Sequence, residues 1–123
     1  MLSKPQQFGK ESESIAVRYL KKNGYKILEQ NYRNKLGEID IIAKDKDTLV
    51  FIEVKARKSG RFGNPKWAVT LKKQRKISMV ALYYLKTSKQ PDVKARFDVV
   101  SILSAEKKPD IEIVKNAFQL AYT

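Results

Sequence analysis

The chain has 123 residues, with 26 Lys+Arg against 13 Asp+Glu and neither His nor Cys, giving a formal net charge of +13. Without His or Cys there is no Ser-His-Asp or Cys-His catalysis, no Cys/His zinc site and no disulfide. Hydrolytic chemistry must run on carboxylates, Lys, Tyr, Ser/Thr and a hard cation. The length fits one domain over residues 1–123, and an apolar fraction of 42% with 10% aromatics suffices for a core. No apolar run approaches the roughly 20 residues of a membrane span, and the first residues lack a signal-peptide stretch. A cytoplasmic protein with no membrane association is expected. So basic a small domain points to a polyanion, nucleic acid first; the bland alternative is charge that serves solubility alone.

The first helix is expected from Gly9 to Gly24, with Ile15, Ala16, Tyr19 and Leu20 as its apolar stripe and Asn23-Gly24 as its stop. Residues 1–8 are expected to be a flexible lead-in. Tyr25–Gln30 reads as a first strand. Gly37–Ala43 and Leu49–Arg57 are rich in Ile, Val and Phe and read as a hairpin joined by Lys44-Asp45-Lys46-Asp47. Residues 58–66 form a basic loop rich in turn formers. Thr70 is the expected N-cap of a second helix reaching about Thr87, buried along Ile77, Val80, Ala81, Tyr84 and Leu85. Lys72, Lys73, Arg75 and Lys76 crowd its first turns against the helix dipole, which a phosphate partner would explain. Arg96–Leu103 is a further strand and Ile111–Val114 the last. The order is α/β with a mixed sheet.

Chemistry-bearing residues concentrate in the hairpin. One face of Leu49–Arg57 is apolar throughout, while the other runs Leu49, Phe51, Glu53, Lys55, Arg57, turning charged halfway. This is the pattern of a central strand that leaves a two-sided core for a polar cleft. On the preceding strand, Ile39, Ile41 and Ala43 should share one face and Glu38, Asp40 and Ile42 the other. With Ala43 opposite Thr48, Asp40 faces Phe51 and Glu38 faces Glu53. Asp40 and Glu53 are then diagonal neighbours about 7–8 Å apart, within reach of one ion. A bulge would break this parity. Clustered carboxylates repel, so either Lys55 and Arg57 neutralise them or a hard cation such as Mg²⁺ or Mn²⁺ does. The pattern alone leaves an ion-pair network and a metal site equally open.

At these residues the chain resembles the YraN-like family of small bacterial proteins, predicted endonucleases of the restriction-endonuclease-like, PD-(D/E)xK superfamily. The resemblance runs from Gly9-Lys10 and Glu13-Ser14-Ile15-Ala16 through Asn31-Tyr32-Arg33. Its most specific stretches are 37–42 (Gly-Glu-Ile-Asp-Ile-Ile), 50–57 (Val-Phe-Ile-Glu-Val-Lys-Ala-Arg) and 96–100 (Arg-Phe-Asp-Val-Val). It implies an α-β-β-β-α-β core similar to that of archaeal Holliday-junction resolvases. It further implies Asp40 and Glu53 as metal ligands, Lys55 as the motif lysine and Glu13 as a helix glutamate joining the metal set. Ser12 stands where the family usually has Gly, and Ile39 where restriction enzymes have Pro. Gln74 falls where some superfamily nucleases carry an auxiliary glutamine.

The resemblance therefore implies a Mg²⁺- or Mn²⁺-dependent endonuclease acting on DNA, including branched or structured DNA, and a homodimer would suit symmetric cutting. Lys55 would orient the attacking water and stabilise charge on the phosphate, or simply neutralise Glu53. Glu13 near a helix start is favourable without any function. Glu38 is either auxiliary to the site or a solvated surface residue. Tyr19, Tyr83 and Tyr84 suit the core or its rim; Trp67 and Phe62 could stack on bases or anchor their loop. Arg57, Lys58, Arg61, Lys66, Lys72, Lys73, Arg75 and Lys76 would contact the phosphate backbone, which positions without reading sequence. Two rival readings remain: a nucleic-acid-binding protein on the same fold without catalysis, and a basic subunit docking an acidic protein.

Overall fold

A computed structural model describes residues 4–57, 69–90, 93–103 and 108–120. Helix α1 spans Lys4–Lys22, followed by strands β1 (Lys26–Asn34), β2 (Gly37–Asp45) and β3 (Thr48–Arg57). Helix α2 (Leu71–Thr87) leads to β4 (Lys94–Leu103) and β5 (Asp110–Phe118). The five strands lie in sequence order, β3 and β4 parallel and the other neighbours antiparallel. A parallel pair needs a crossover, and α2 supplies it. This is the α-β-β-β-α-β order that the resemblance implies, followed at the edge by β5, the last strand expected around Ile111–Val114. Among the described residues no helix is long and apolar enough to cross a membrane.

Each helix covers one face of the sheet. Ala16, Val17 and Leu20 of α1 pack on Ile41, Ala43, Val50, Ile52, Val100 and Ile102. Ile77, Val80 and Ala81 of α2 pack on Ile39, Ile42, Leu49, Phe51, Phe97 and Val99. Strand β3 thus has core on both sides from Leu49 to Ile52, as its two apolar faces require.

The helix ends follow their residues. Gly24, at φ +91°, closes α1: its N–H donates to the Lys21 carbonyl (3.1 Å) and the Tyr25 N–H to that of Leu20 (3.0 Å). The left-handed residue redirects the chain so that Tyr25 turns back into the core. Thr70 Oγ1 caps α2 by accepting from the Lys73 N–H (3.2 Å).

Three expectations need correction. Helix α1 begins at Lys4, so residues 4–8 are helical and not a flexible lead-in. The hairpin turn is two residues, Lys46-Asp47, with Asp45 opposite Thr48 and Ala43 opposite Val50. Two-residue turns match the twist of paired strands, and Lys46 adopts the left-handed φ of 57° that this one uses. Phe51 therefore faces Ile42, and Asp40 does not face Phe51. Finally, Ile39 joins Ile42 on the α2 side while Ile41 and Ala43 face α1, so strand alternation breaks at Asp40. The basic loop at 58–66, with Lys58, Arg61, Phe62, Lys66 and also Trp67, lies outside the described residues.

Candidate active site

The site arises where two strands part. Pairing of β2 with β3 runs from Asp45–Thr48 to Ile41–Ile52 and stops, whereas β3 stays paired with β4 to Arg57–Leu103. From Glu53 onward β3 has lost one neighbour. The Asp40 carboxylate bridges the opening, its Oδ2 accepting the Val54 N–H at 2.8 Å. A side chain thus takes a bond that a strand carbonyl would otherwise make. That spends one oxygen and fixes Asp40 beside Glu53.

Glu53 is only 7% exposed and lies within hydrogen-bonding reach of the Asp40 carboxyl. Burial foremost, then the Asp40 charge and hydrogen bond, push its pKa up from 4.5 to about 8; Lys73 and Lys55 pull the other way. Lys73 Nζ, from the first turn of α2, stands 3.5 Å from Glu53 Oε1. A buried acid beside a second, half-buried one is an unfavourable arrangement unless a cation or a proton separates them.

Asp40, Glu53, Lys55 and Glu13 line one cavity of about 300 Å³, floored by Gly9 and Ser12 of α1 and by Val54 and Ala56. Burial raises the Glu13 pKa, a hydrogen bond with Asn31 opposes this, and the charges of Asp40 and Glu38 add to the rise. Among the described residues no three acidic side chains are close enough to enclose one ion. Asp40 and Glu53 are therefore the compact pair, and Glu13 faces the cavity from α1.

The remaining candidates separate by position. Glu38 does not face Glu53: it pairs with Arg33 across β1–β2 at 2.8 Å, largely exposed. The Gln74 amide donates to the Val69 carbonyl at 3.0 Å, securing the entry to α2. Lys72, Lys73, Arg75 and Lys76 are exposed on α2, and Arg57 is half-buried at the end of β3. Tyr84 packs edge-on against Tyr32 (5.1 Å) and Phe51 (5.9 Å); it and Leu85 are half-buried at the core rim, not part of the fully buried stripe expected for this helix. Asn31 is the site residue that sequence reasoning missed. Its φ of 53° signals the irregular strand beside Asp40, a conformation asparagine tolerates, but only the fold brings it to Glu13.

Metal-free, Glu53 carries its own stability prediction. With its folded pKa raised above its ordinary value, it contributes stability that is full below about pH 4.5 and lost as pH rises through about 8. Chemical denaturation in chelator should show stability falling between pH 5 and 9 by on the order of a few kcal/mol. Glu53→Gln should flatten that slope, and a Glu53→Gln protein as pH-sensitive as wild type would contradict the assignment.

A five-stranded mixed sheet in α-β-β-β-α-β-β order, with Asp40 and Glu53-x-Lys55 where the central strands part, is a restriction-endonuclease-like core. The chain belongs to the uncharacterised protein family UPF0102, whose model matches residues 12–102, and this is the YraN-like family that the sequence resembles. A UPF0102 protein of Desulfosudis oleivorans is 50% identical over 118 residues, 96% of this chain and 94% of the relative. One from Geobacter metallireducens is 54% identical over 93% of each chain. One from Caldicellulosiruptor saccharolyticus is 47% identical over 91% of this chain and 97% of its own.

Proposed function

We propose that the protein is a divalent-cation-dependent endonuclease hydrolysing phosphodiester bonds of DNA, branched or otherwise structured DNA included. The observation that carries this reading is the carboxyl pair of buried Glu53 and half-buried Asp40 at the open end of the central strand, with two ammonium groups beside it. A hard, all-oxygen donor pair of this kind suits Mg²⁺ or Mn²⁺, and the raised Glu53 pKa marks a place where positive charge is wanted. Asp40 and Glu53 would hold the ion. When bound, it polarises the phosphodiester and favours deprotonation of the attacking water.

The chain supplies the rest. Asp40 is held rigid by the Val54 N–H, so its free oxygen is already oriented. Glu13, which lines the same cavity from α1, would accept a hydrogen bond from the attacking water. Lys55 opposes the negative charge that develops on the phosphoryl oxygens. Calorimetry with Mn²⁺ should find one site, lost in Asp40→Asn and in Glu53→Gln, with both variants folded. Wild type that ignores Mn²⁺, together with strong destabilisation of both variants, would make the pair a structural network instead. Cleavage assays on branched, flapped, single-stranded and duplex DNA with Mg²⁺ and Mn²⁺ test the activity itself.

A further inference from the structure

Beside the carboxylate cavity lies a larger groove of about 650 Å³, between the β1–β2 turn and the first turns of α2. Arg33 at the end of β1 and Lys35 in the turn line one side, Lys72, Lys73 and Lys76 of the helix the other, and among the described residues Glu38 is its one carboxylate. Glu38 is taken up by Arg33. Among the described residues Lys35, Lys72 and Lys76 have no carboxylate within ion-pair distance, so the groove holds three uncompensated ammonium groups. Such crowding costs stability unless an anion offsets it.

The walls are fixed. Gly37, at φ +149°, brings the turn so close to α2 that a Cβ there would stand 3.2 Å from Val80 Cγ2. Asn34 Oδ1 accepts the Leu36 N–H at 2.8 Å, and Lys35 lies 5.8 Å from the Tyr83 ring centre. Lys73 belongs to both places, lining the groove and contacting Glu53. A chain of anions lying in the groove therefore ends at the carboxylate pair.

We propose that this groove is the track for the sugar–phosphate backbone of one DNA strand, with Lys35 and Lys76 on opposite walls and Lys73 passing the strand to the Asp40–Glu53 site. The proposal rests on the nuclease reading for its direction, since the track leads to that site. Ammonium groups spaced along a groove contact phosphates irrespective of base, so binding is sequence-independent and salt-dependent.

The test is fluorescence anisotropy with a labelled mixed-sequence duplex in chelator, where no cleavage occurs, across a salt series. Lys35→Gln with Lys76→Gln should weaken binding at least about tenfold and reduce the log–log salt slope by close to 1 per lysine. Lys86→Gln with Lys89→Gln, at the other end of α2, serves as the charge-matched control and should change the slope by less than half as much. Equal losses in the two pairs would reduce the effect to net charge and overturn the track. So would wild-type affinity in the Lys35/Lys76 pair. Cleavage by wild type alongside groove-insensitive binding would remove the track and keep the nuclease; groove-dependent binding without cleavage under any cation would do the reverse. A wild-type protein that binds no DNA would end both.

Discussion

Lys55→Met should cleave DNA about 10²–10³-fold more slowly than wild type while folding and binding Mn²⁺ nearly normally. The substitution keeps the apolar stem along the strand and discards only the ammonium. Lys55 lines the same cavity as Asp40 and Glu53, yet the cation in ion-pair contact with Glu53 is Lys73, at 3.5 Å. Removing Lys55 therefore leaves Glu53 its nearest partner, and the buried carboxylate is not stranded. An ammonium cannot ligate a cation and repels it slightly, so Mn²⁺ affinity should hold or improve. On the proposed nuclease reading, what is lost is a positive charge where negative charge builds on the phosphate. Single-turnover cleavage beside calorimetry separates the two effects. Wild-type cleavage by Lys55→Met would strip the lysine of a catalytic role. A variant that does not fold would show that it chiefly neutralises the carboxylates.

The legible and illegible parts of this site divide along physical lines. Composition removed His and Cys chemistry, and the half-apolar, half-charged face of Leu49–Arg57 located the place where a two-sided core ends. Both depend on residue type and period two alone. The pairing register was not legible, because it turns on whether Lys46 accepts a left-handed φ, which decides between a two- and a four-residue turn. The two registers differ by an even number, so Asp40 and Glu53 stayed together although Glu38 moved away to Arg33. The face change at Asp40 was equally hidden: a side chain bonding to a neighbouring strand's N–H leaves no mark on hydrophobic periodicity. The Lys73–Glu53 contact spans β3 and α2 through a segment no local pattern constrains. Lys72, Lys73 and Lys76 could be read as phosphate contacts from charge, but the β1–β2 turn opposite them carries too few residues to stand out.

The stretch Arg96-Phe97-Asp98, conspicuous in the sequence, bears on folding, and Asp98 should prove far more costly to remove than the Tyr25 hydroxyl bonded to it. Its carboxylate is fully buried and accepts from the Tyr25 hydroxyl (2.8 Å), Arg96 Nε (3.0 Å) and the Asn116 N–H (2.9 Å). Arg96 reaches on to Asp45 at 2.6 Å, and Lys115 approaches the same carboxylate at 3.3 Å. One buried charge thus joins the end of α1, the β2–β3 turn, β4 and β5. Burial, then the Asp98 hydrogen bond and charge, hold the Tyr25 hydroxyl in its neutral form, while a hydrogen bond from Arg96 keeps Asp45 ionised. Asp98→Ala would leave the tyrosine and the Asn116 N–H without an acceptor and a half-buried guanidinium with one partner fewer. Breaking a buried pair in this way costs about 3–5 kcal/mol, a large share of a small domain's stability. Tyr25→Phe removes one donor and leaves the ion pair, so it should cost only about 1 kcal/mol. Urea denaturation of the three proteins reads both values. Asp98 lies outside the carboxylate cavity, so Asp98→Ala protein refolded in the cold should still bind Mn²⁺ through Asp40 and Glu53. A loss below about 1 kcal/mol for Asp98→Ala would mean that water replaces the carboxylate without penalty and that the packing of β4 alone holds these elements together.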